Sequence, residues 1–349
     1  MTRLGVGIIG AGAVTQAIHL PALATLSDRL RVTHVFDVDA SSANAVAARV
    51  EARAGTSLEA LFADPAVDVV AICSPHQFHA DQIEAACAAG KRGILCEKPL
   101  AMTVAEADRI AAATASASVP LVVGAMHAWD PAFRAAADAW GDLAETVRAV
   151  RSTIYLPPNA DMIELATNLF TPQATASVAA GQTPLLDAEL GTIRRLVFGL
   201  ATHATPLIRR LCPGMSGVQH ARGLKPLGYS ISYEDGGRPV TLVALMGGKW
   251  EPQWTLDAWG ATTELHAEFP PSYVTTGSSI ATVRDRTGAR TWRFDRNGYQ
   301  AEWTHLADVV DKRAELAIPV ATVVDDLRHA AALADAAVAL RRRVAEGKA

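Results

Sequence analysis

Leu4-Gly5-Val6-Gly7-Ile8-Ile9-Gly10-Ala11-Gly12-Ala13-Val14-Thr15 is the stretch that decides the fold. Leu4 to Ile9 reads as a buried strand, glycines then break the run, and a helical pattern follows from about Val14 to Leu26. A strand, a glycine turn and a helix in that order form a phosphate cradle. Gly10 permits the tight turn, and Gly12 lets a pyrophosphate approach the backbone where the helix opens at Ala13 and Val14 with its positive end. A second match to G-x-G-x-x-G, Gly5 to Gly10, lies inside the strand, where no turn can form. Thr15 stands where a third glycine or alanine would let helix and strand lie close. The next strand, Arg31 to Phe36, ends at Asp37, whose carboxylate can accept from both ribose hydroxyls of an adenosine and would repel a 2′-phosphate. NAD is therefore favoured over NADP, although Asp37 or Asp39 also reads as the cap of a helix near Ser42.

Outward from this unit the alternation continues. Strands are expected at Val67–Cys73, Arg92–Cys96 and Val119–Gly124, with helices near Ala43–Arg53, Ala80–Ala89 and Val104–Ala115. Such alternation implies parallel strands with right-handed crossovers, a doubly wound Rossmann sheet. After about residue 125 the pattern changes. Thr146–Leu156 reads as a long strand and Asp187–Leu211 as a helix interrupted by Gly199. Short strands follow at Val218–Leu224, Tyr229–Glu234, Val240–Met246, Gln253–Ala258, Thr262–Glu268 and Ser279–Arg284. Their spacing predicts a mainly antiparallel sheet. The expected organisation is a dinucleotide-binding domain over 1–125 and an α+β domain over 126–349. Closing helices near Gln300–Arg313 and Val323–Val344 are expected to pack back onto the body.

Composition excludes several function classes. Apolar residues make up 50% and charged residues 19%, against disorder. A net charge of −4 with both signs interspersed argues against a nucleic-acid surface. No apolar run has the length of a membrane helix, and the first strand starts close to Met1, so a cytoplasmic protein is expected. Cys73, Cys87, Cys96 and Cys212 form no C-x-x-C pair, and neither they nor the histidines show metal-ligand spacing.

The chemistry is expected at Glu97-Lys98-Pro99, directly after the apolar run Gly93-Ile94-Leu95-Cys96. A lysine at the carboxyl end of a buried strand is costly away from water, and open α/β sheets bind ligands at that edge.

In this order the pieces resemble the Gfo/Idh/MocA oxidoreductase family. The resemblance rests on Gly7-Ile8-Ile9-Gly10-Ala11-Gly12, on His19-Leu20-Pro21-Ala22-Leu23, and on Cys73-Ser74-Pro75-His76 with His79. Ala89-Gly90-Lys91 and Cys96-Glu97-Lys98-Pro99-Leu100-Ala101 complete it. It implies that Ser74, Pro75, His76 and His79 border the dinucleotide, that Glu97 approaches the nicotinamide ribose, and that Lys98 works beside the reacting carbon. It further implies that Lys98-Pro99 is cis, and that the substrate is carbohydrate-like: a sugar, sugar derivative or cyclitol. A homodimer or homotetramer is also implied.

The second half matches less closely. Members of the family commonly carry Asp-x-x-x-His on a helix of the second domain. Here Asp187 has Gly191 four residues on, and His203 has Gly199 four residues before it. His203 is preferred as the catalytic partner, with Asp187 a weaker substrate contact. In Met126-His127-Ala128-Trp129, relatives often carry an arginine near Ala128. His127 becomes a candidate substrate residue and Trp129 a candidate cofactor neighbour, with core packing as the alternative for the tryptophan. Trp250, Trp254 and Trp259 invite carbohydrate stacking, but sheet packing or a subunit interface is the better default. The pairs Arg194-Arg195 and Arg209-Arg210 read as solvated helix faces before phosphate sites.

The expected reaction is hydride transfer between nicotinamide and a carbinol or ketone carbon, with Lys98 taking or giving the hydroxyl proton. Two other classes use the same scaffold: glycoside cleavage through transient oxidation by a retained NAD, and a dinucleotide-responsive binding or regulatory protein with an eroded site.

Overall fold

Near-continuous apolar segments with glycine turns at their ends become the strands of the first sheet, because a sheet covered on both faces has no use for alternation. The computed structural model describes residues 3–55, 57–169, 185–249 and 251–348, so Trp250 lies outside the described residues. The strands are β1 (Leu4–Ile9), β2 (Leu30–Phe36), β3 (Arg53–Ala54), β4 (Val69–Ile72), β5 (Gly93–Glu97) and β6 (Leu121–Gly124). They pair in parallel in the order β3-β2-β1-β4-β5-β6. Every residue of β1, β4, β5 and β6 is buried. The strand order reverses at β1, between β2 and β4, which places a ligand crevice beyond the carboxyl ends of β1 and β4.

Local signals set the helices of this unit. Thr103 and Glu106 close a reciprocal capping box at the start of Val104–Ala117. Asp39 accepts from the N–H groups of Ser41 and Ser42 to start Ala40–Arg49, three residues earlier than the alanine pattern predicts. The first helix runs over residues 13–24, and its middle, Thr15–His19, is a π-turn. Gly298–Val310 belongs to the same unit, where Arg29 pairs with Asp308 at 2.9 Å and Asp311 at 3.4 Å.

The second unit is built on β7 (Ala149–Leu156), β8 (Gly217–Leu224), β9 (Leu227–Asp235), β10 (Arg238–Met246), β11 (Gln253–Trp259), β12 (Glu264–Glu268), β13 (Ile280–Asp285) and β14 (Gly288–Trp292). The order is β14-β13-β12-β11-β7-β10-β9-β8. Neighbours are antiparallel except β7 and β10, which run parallel because β7 enters from far earlier in the chain. Burial alternates as a one-sided sheet requires: Tyr229, Ile231 and Tyr233 point inward on β9, and Val240, Leu242 and Ala244 on β10.

Several elements differ from the sequence reading, the short β3 and the helices Leu58–Ala63 and Pro131–Ala139 among them, and two differences bear on the argument. β14 is an added strand, unreadable because Gly-Ala-Arg-Thr-Trp lacks apolar alternation. Gly199 does not interrupt its helix: Leu185–Leu196 passes through a π-turn at Val197–Ala201 into Thr202–Ile208.

Candidate active site

The glycine turn is fixed from both sides. Gly10 has φ +99°, and a Cβ there would stand 2.8 Å from the backbone of Cys73 and Ser74. Only glycine fits both the angle and the approach of the neighbouring turn. A Cβ on Gly12 would meet nothing within 4 Å, so the backbone there faces open space. Thr15 explains its departure from the small-residue pattern, because its hydroxyl donates to the Gly10 carbonyl at 2.5 Å. Gln16 Nε2 donates to the Ala11 carbonyl at 2.7 Å. Asp37, half-buried at the end of β2, accepts the Ala11 N–H at 2.7 Å and the Asp39 N–H at 2.9 Å. Ala13 is buried and Val14 half-buried where the helix opens. The exposed backbone at Gly12, a helix opening beside it and a carboxylate at the end of β2 together fit a dinucleotide.

After β4 comes Ser74, whose hydroxyl donates to Gln82 Oε1 at 2.6 Å, and then Pro75 and His76, both exposed. His79 does not share that exposure. It is buried, with Nδ1 2.9 Å from the Pro99 carbonyl and Nε2 3.0 Å from the Ser74 carbonyl. Burial lowers its pKa, against the pull of those carbonyls and of Glu97. Its place is to tie the turn after β4 to the turn after β5.

The turn after β5 gathers two ionisable groups, Glu97 and Lys98. Glu97, the last residue of β5, is buried, and Gly124 pairs with it across β6. A Cβ on Gly124 would lie 3.1–3.3 Å from the Glu97 carboxyl, so glycine makes the room for it. Glu97 accepts from His19 Nε2 at 3.0 Å and from the Lys98 N–H at 3.1 Å. Burial pushes its pKa up, but His19 and Lys98 outweigh burial and hold it below the usual value. Lys98 moves the other way: burial lowers its pKa, and Glu97 only partly restores it. The lysine is thereby made easier to deprotonate, as a proton-transfer residue near neutral pH requires. The Lys98–Pro99 peptide is cis.

Behind Glu97 lies a layer the sequence reading missed. Trp303 donates its indole N–H to His19 Nδ1 at 3.1 Å, and Glu302 beside it is fully buried. His19 sits in the quoted motif without a visible role, and Trp303 and Glu302 lie far along the chain from Glu97-Lys98-Pro99 and outside every quoted motif. Gly124 carries no chemical signal at all.

The second unit holds a cluster of its own. His127 and His203 are both buried, with ring centroids 5.5 Å apart. His127 meets Trp254 edge-on at 4.4 Å and Phe269 at 4.2 Å, and His203 meets Trp254 edge-on at 5.0 Å. Trp254 is thus core packing around two histidines. Trp129 is buried, with the Arg134 guanidinium 5.5 Å from its ring centroid. Asp187 is exposed, 3.9 Å from Arg342. Among the described residues no group of three or more histidine, cysteine or acidic side chains is placed to hold a metal ion, and no helix is long and apolar enough to cross a membrane.

These features define a dinucleotide-binding Rossmann protein, with a titratable lysine at the ligand edge of its sheet. Residues 4–125 match the GFO_IDH_MocA family model, described as an oxidoreductase family with an NAD-binding Rossmann fold. An inositol 2-dehydrogenase from Acidothermus cellulolyticus is 39% identical over 130 residues, 37% of this chain and 38% of that protein. Another from Paracoccus denitrificans is 38% identical over 133 residues, 37% of this chain and 39% of that protein. The matched stretch thus spans less than two-fifths of these curated relatives. The architecture is shared further. A 3-ketoreductase from Actinomadura kijaniata, solved with NADP and TDP-benzene, superposes with TM-score 0.71 at 18% identity, covering 96% of this chain and 98% of its own. UDP-N-acetylglucosamine 3-dehydrogenase from Acidithiobacillus ferrooxidans gives TM-score 0.70 at 19% identity, covering 98% and 100%.

Proposed function

We propose that this chain is an NAD-dependent dehydrogenase or reductase acting on a CH–OH group of a sugar, sugar derivative or cyclitol. The observation that carries the reading is Lys98, with its lowered pKa, beside Glu97 at the ligand edge of the sheet. The bound nicotinamide dinucleotide supplies hydride exchange with the carbinol or ketone carbon. The chain's own residues do the rest. The Gly10–Gly12 turn and the helix opening at Ala13 hold the pyrophosphate. Ser74, Pro75 and His76 border the nicotinamide half, with His79 holding their turn. Asp37 favours NAD: each of its oxygens takes one backbone N–H and keeps a lone pair for a ribose hydroxyl, and its charge repels a 2′-phosphate. Glu97 orients the lysine, and Lys98 Nζ takes the hydroxyl proton in oxidation and returns it in reduction.

The substrate class rests on the inositol 2-dehydrogenase relatives and on the sugar-nucleotide neighbours. His203 and His127 are proposed as substrate-side residues on residue type and burial alone, with His203 the partner in proton handling. Asp187, exposed beside Arg342, is left out of the reaction.

The test is Lys98→Met in a screen of polyols, keto sugars and cyclitols followed by NADH and NADPH absorbance. Turnover should fall about a thousandfold, the range for losing a proton-transfer group, with NAD affinity held within about threefold. Retained turnover, or lost NAD binding, would remove Lys98 from that role.

A further inference from the structure

Three side chains behind Glu97 have no part in the reaction described so far: His19, Glu302 and Trp303. All belong to the first unit, and all are fully buried. Indole N–H can only donate, so the nitrogen it meets, His19 Nδ1, must offer a lone pair. The proton of a neutral ring then sits on Nε2, and Nε2 faces Glu97 Oε1 at 3.0 Å. Each nitrogen of His19 thereby has the partner that its neutral Nε2–H form needs. Burial opposes charge on the ring, but Cys73, by charge and by a hydrogen bond, and then Glu97 act against burial and raise the His19 pKa well above the usual value. The coulombic part of the Cys73 pull exists only for a thiolate, and the Glu97 charge acts on Lys98 as well. A charged ring would also force an N–H against the indole N–H with no water to separate them. The steric and hydrogen-bonding demand of Trp303 is therefore the stronger constraint.

Glu302 is the other half. Neither of its carboxyl oxygens has a hydrogen-bond partner, although the residue is wholly buried. Burial, and then the charge on Glu97, raise its pKa well above the usual value. Glu97 by contrast has donors on both oxygens. Of the two carboxyls, Glu97 is the one equipped to carry charge.

We propose that Trp303 and Glu302, neighbours on the Gly298–Val310 helix, are positioning residues of the Lys98 site. Trp303 holds His19 in the tautomer that donates to Glu97, and Glu302 stands behind the pair as a neutral acid, leaving Glu97 the single carboxylate acting on the lysine. The inference rests on the reading of Lys98 as the proton-handling residue. The titratable groups facing the His19–Glu97 pair are Cys73 after β4, Cys96 on β5, Lys98, His79 and Glu302. A second full carboxylate, or a charged His19, would each change the field on Lys98: the first strengthens its hold on the proton, the second weakens it.

Three readouts test this on the full chain. Two-bond proton–nitrogen NMR on protein labelled with nitrogen-15 in histidine should give the neutral Nε2–H pattern for His19 at neutral pH, and Trp303→Phe should convert it to the charged pattern. A charged or Nδ1–H pattern in the wild type overturns the proposal. Infrared spectra should contain a protonated-carboxyl band at neutral pH that disappears in Glu302→Gln; no such band removes the neutral acid. In alcohol oxidation, Trp303→Phe should move the acid limb of the kcat profile down by about one pH unit, because a charged His19 offsets Glu97.

Should the Phe variant fail to fold, His19→Met and His19→Gln replace it. Met should lose about tenfold in kcat with substrate KM held, and Gln, an acceptor and a donor in one amide, should recover most of that loss. Equal loss in both overturns the tautomer argument. The spectroscopic arms do not need turnover, so they stand or fall separately from Lys98→Met.

Discussion

The ligand edge of the first sheet and the histidine cluster of the second unit solve the same problem, a polar group away from water, by different means. At the first, Glu97, His19, His79 and Asp37 are pinned by directional bonds to backbone or to one another. At the second, His127 and His203 sit among the faces and edges of Trp254 and Phe269. Directional bonds set protonation states and so tune chemistry; ring contacts set shape and so suit recognition. The difference teaches where a substitution should alter rate and where it should alter fit.

The comparison breaks most readily at His203. If it handles a proton in partnership with Lys98, His203→Ala should lower kcat about a hundredfold, the low end for a general acid or base, with NAD affinity unchanged. His127→Ala should instead raise KM with a smaller change in kcat. Steady-state kinetics beside a fluorescence titration of NAD measures both. If His203→Ala behaves like His127→Ala, the cluster is a recognition wall and nothing more.

Gly124 sharpens the other side. An added Cβ would crowd the Glu97 carboxyl at 3.1–3.3 Å, closer than most such contacts, and it sits on a fully buried strand that cannot yield. Gly124→Ala should lower kcat about tenfold, equivalent to about 1.4 kcal/mol, by turning Glu97 away from His19 and Lys98. The acid limb of the rate profile should move with it. An unchanged profile with a lowered melting temperature would make Gly124 a packing residue only.

How much of this was legible in the sequence follows from distance along the chain. The glycine turn, Asp37, Ser74-Pro75-His76 and Glu97-Lys98-Pro99 are contiguous signals, each placed by its own strand end. Thr15 looked like a weakened motif, yet its hydroxyl closes the turn on Gly10, a bond that residue type alone does not announce. His79 read as a cofactor neighbour because it follows Pro75, but the helix starting at His79 turns its side chain inward to the two carbonyls. Trp303 and Glu302 had no signal, since an amphipathic helix near the C-terminus gives no hint that its buried face meets the first helix. Gly199 misled in the opposite direction: the π-turn absorbs it, so a glycine that reads as a break costs the helix no break. The space beside it is also open, so a side chain four residues before His203 is not excluded by packing.

His329 extends the comparison to a histidine whose pKa is lowered by burial and by a guanidinium. It lies in the second unit, partly buried, with Nε2 3.3 Å from the Tyr233 hydroxyl. Burial first, and then the Arg209 guanidinium, lower its pKa to about 4, with Asp235 acting against them. The unfolded chain titrates this group near the ordinary value of about 6.5. Between those two values the unfolded state binds the proton and the folded state does not, so stability rises with pH across the window. The contribution is fully present above about pH 6.5 and is lost as the pH falls toward 4. Its ceiling is about 3 kcal/mol, reduced because solvent reaches part of the ring. Urea unfolding at pH 7.5 and pH 5 should show a stability loss that His329→Phe diminishes by about 1 kcal/mol. If the variant loses as much stability on acidification as the wild type, the ring titrates normally in the folded state. Arg209 and burial would then not be holding it neutral, and carboxylates held ionised by hydrogen bonds, such as Glu97, would carry the acid sensitivity.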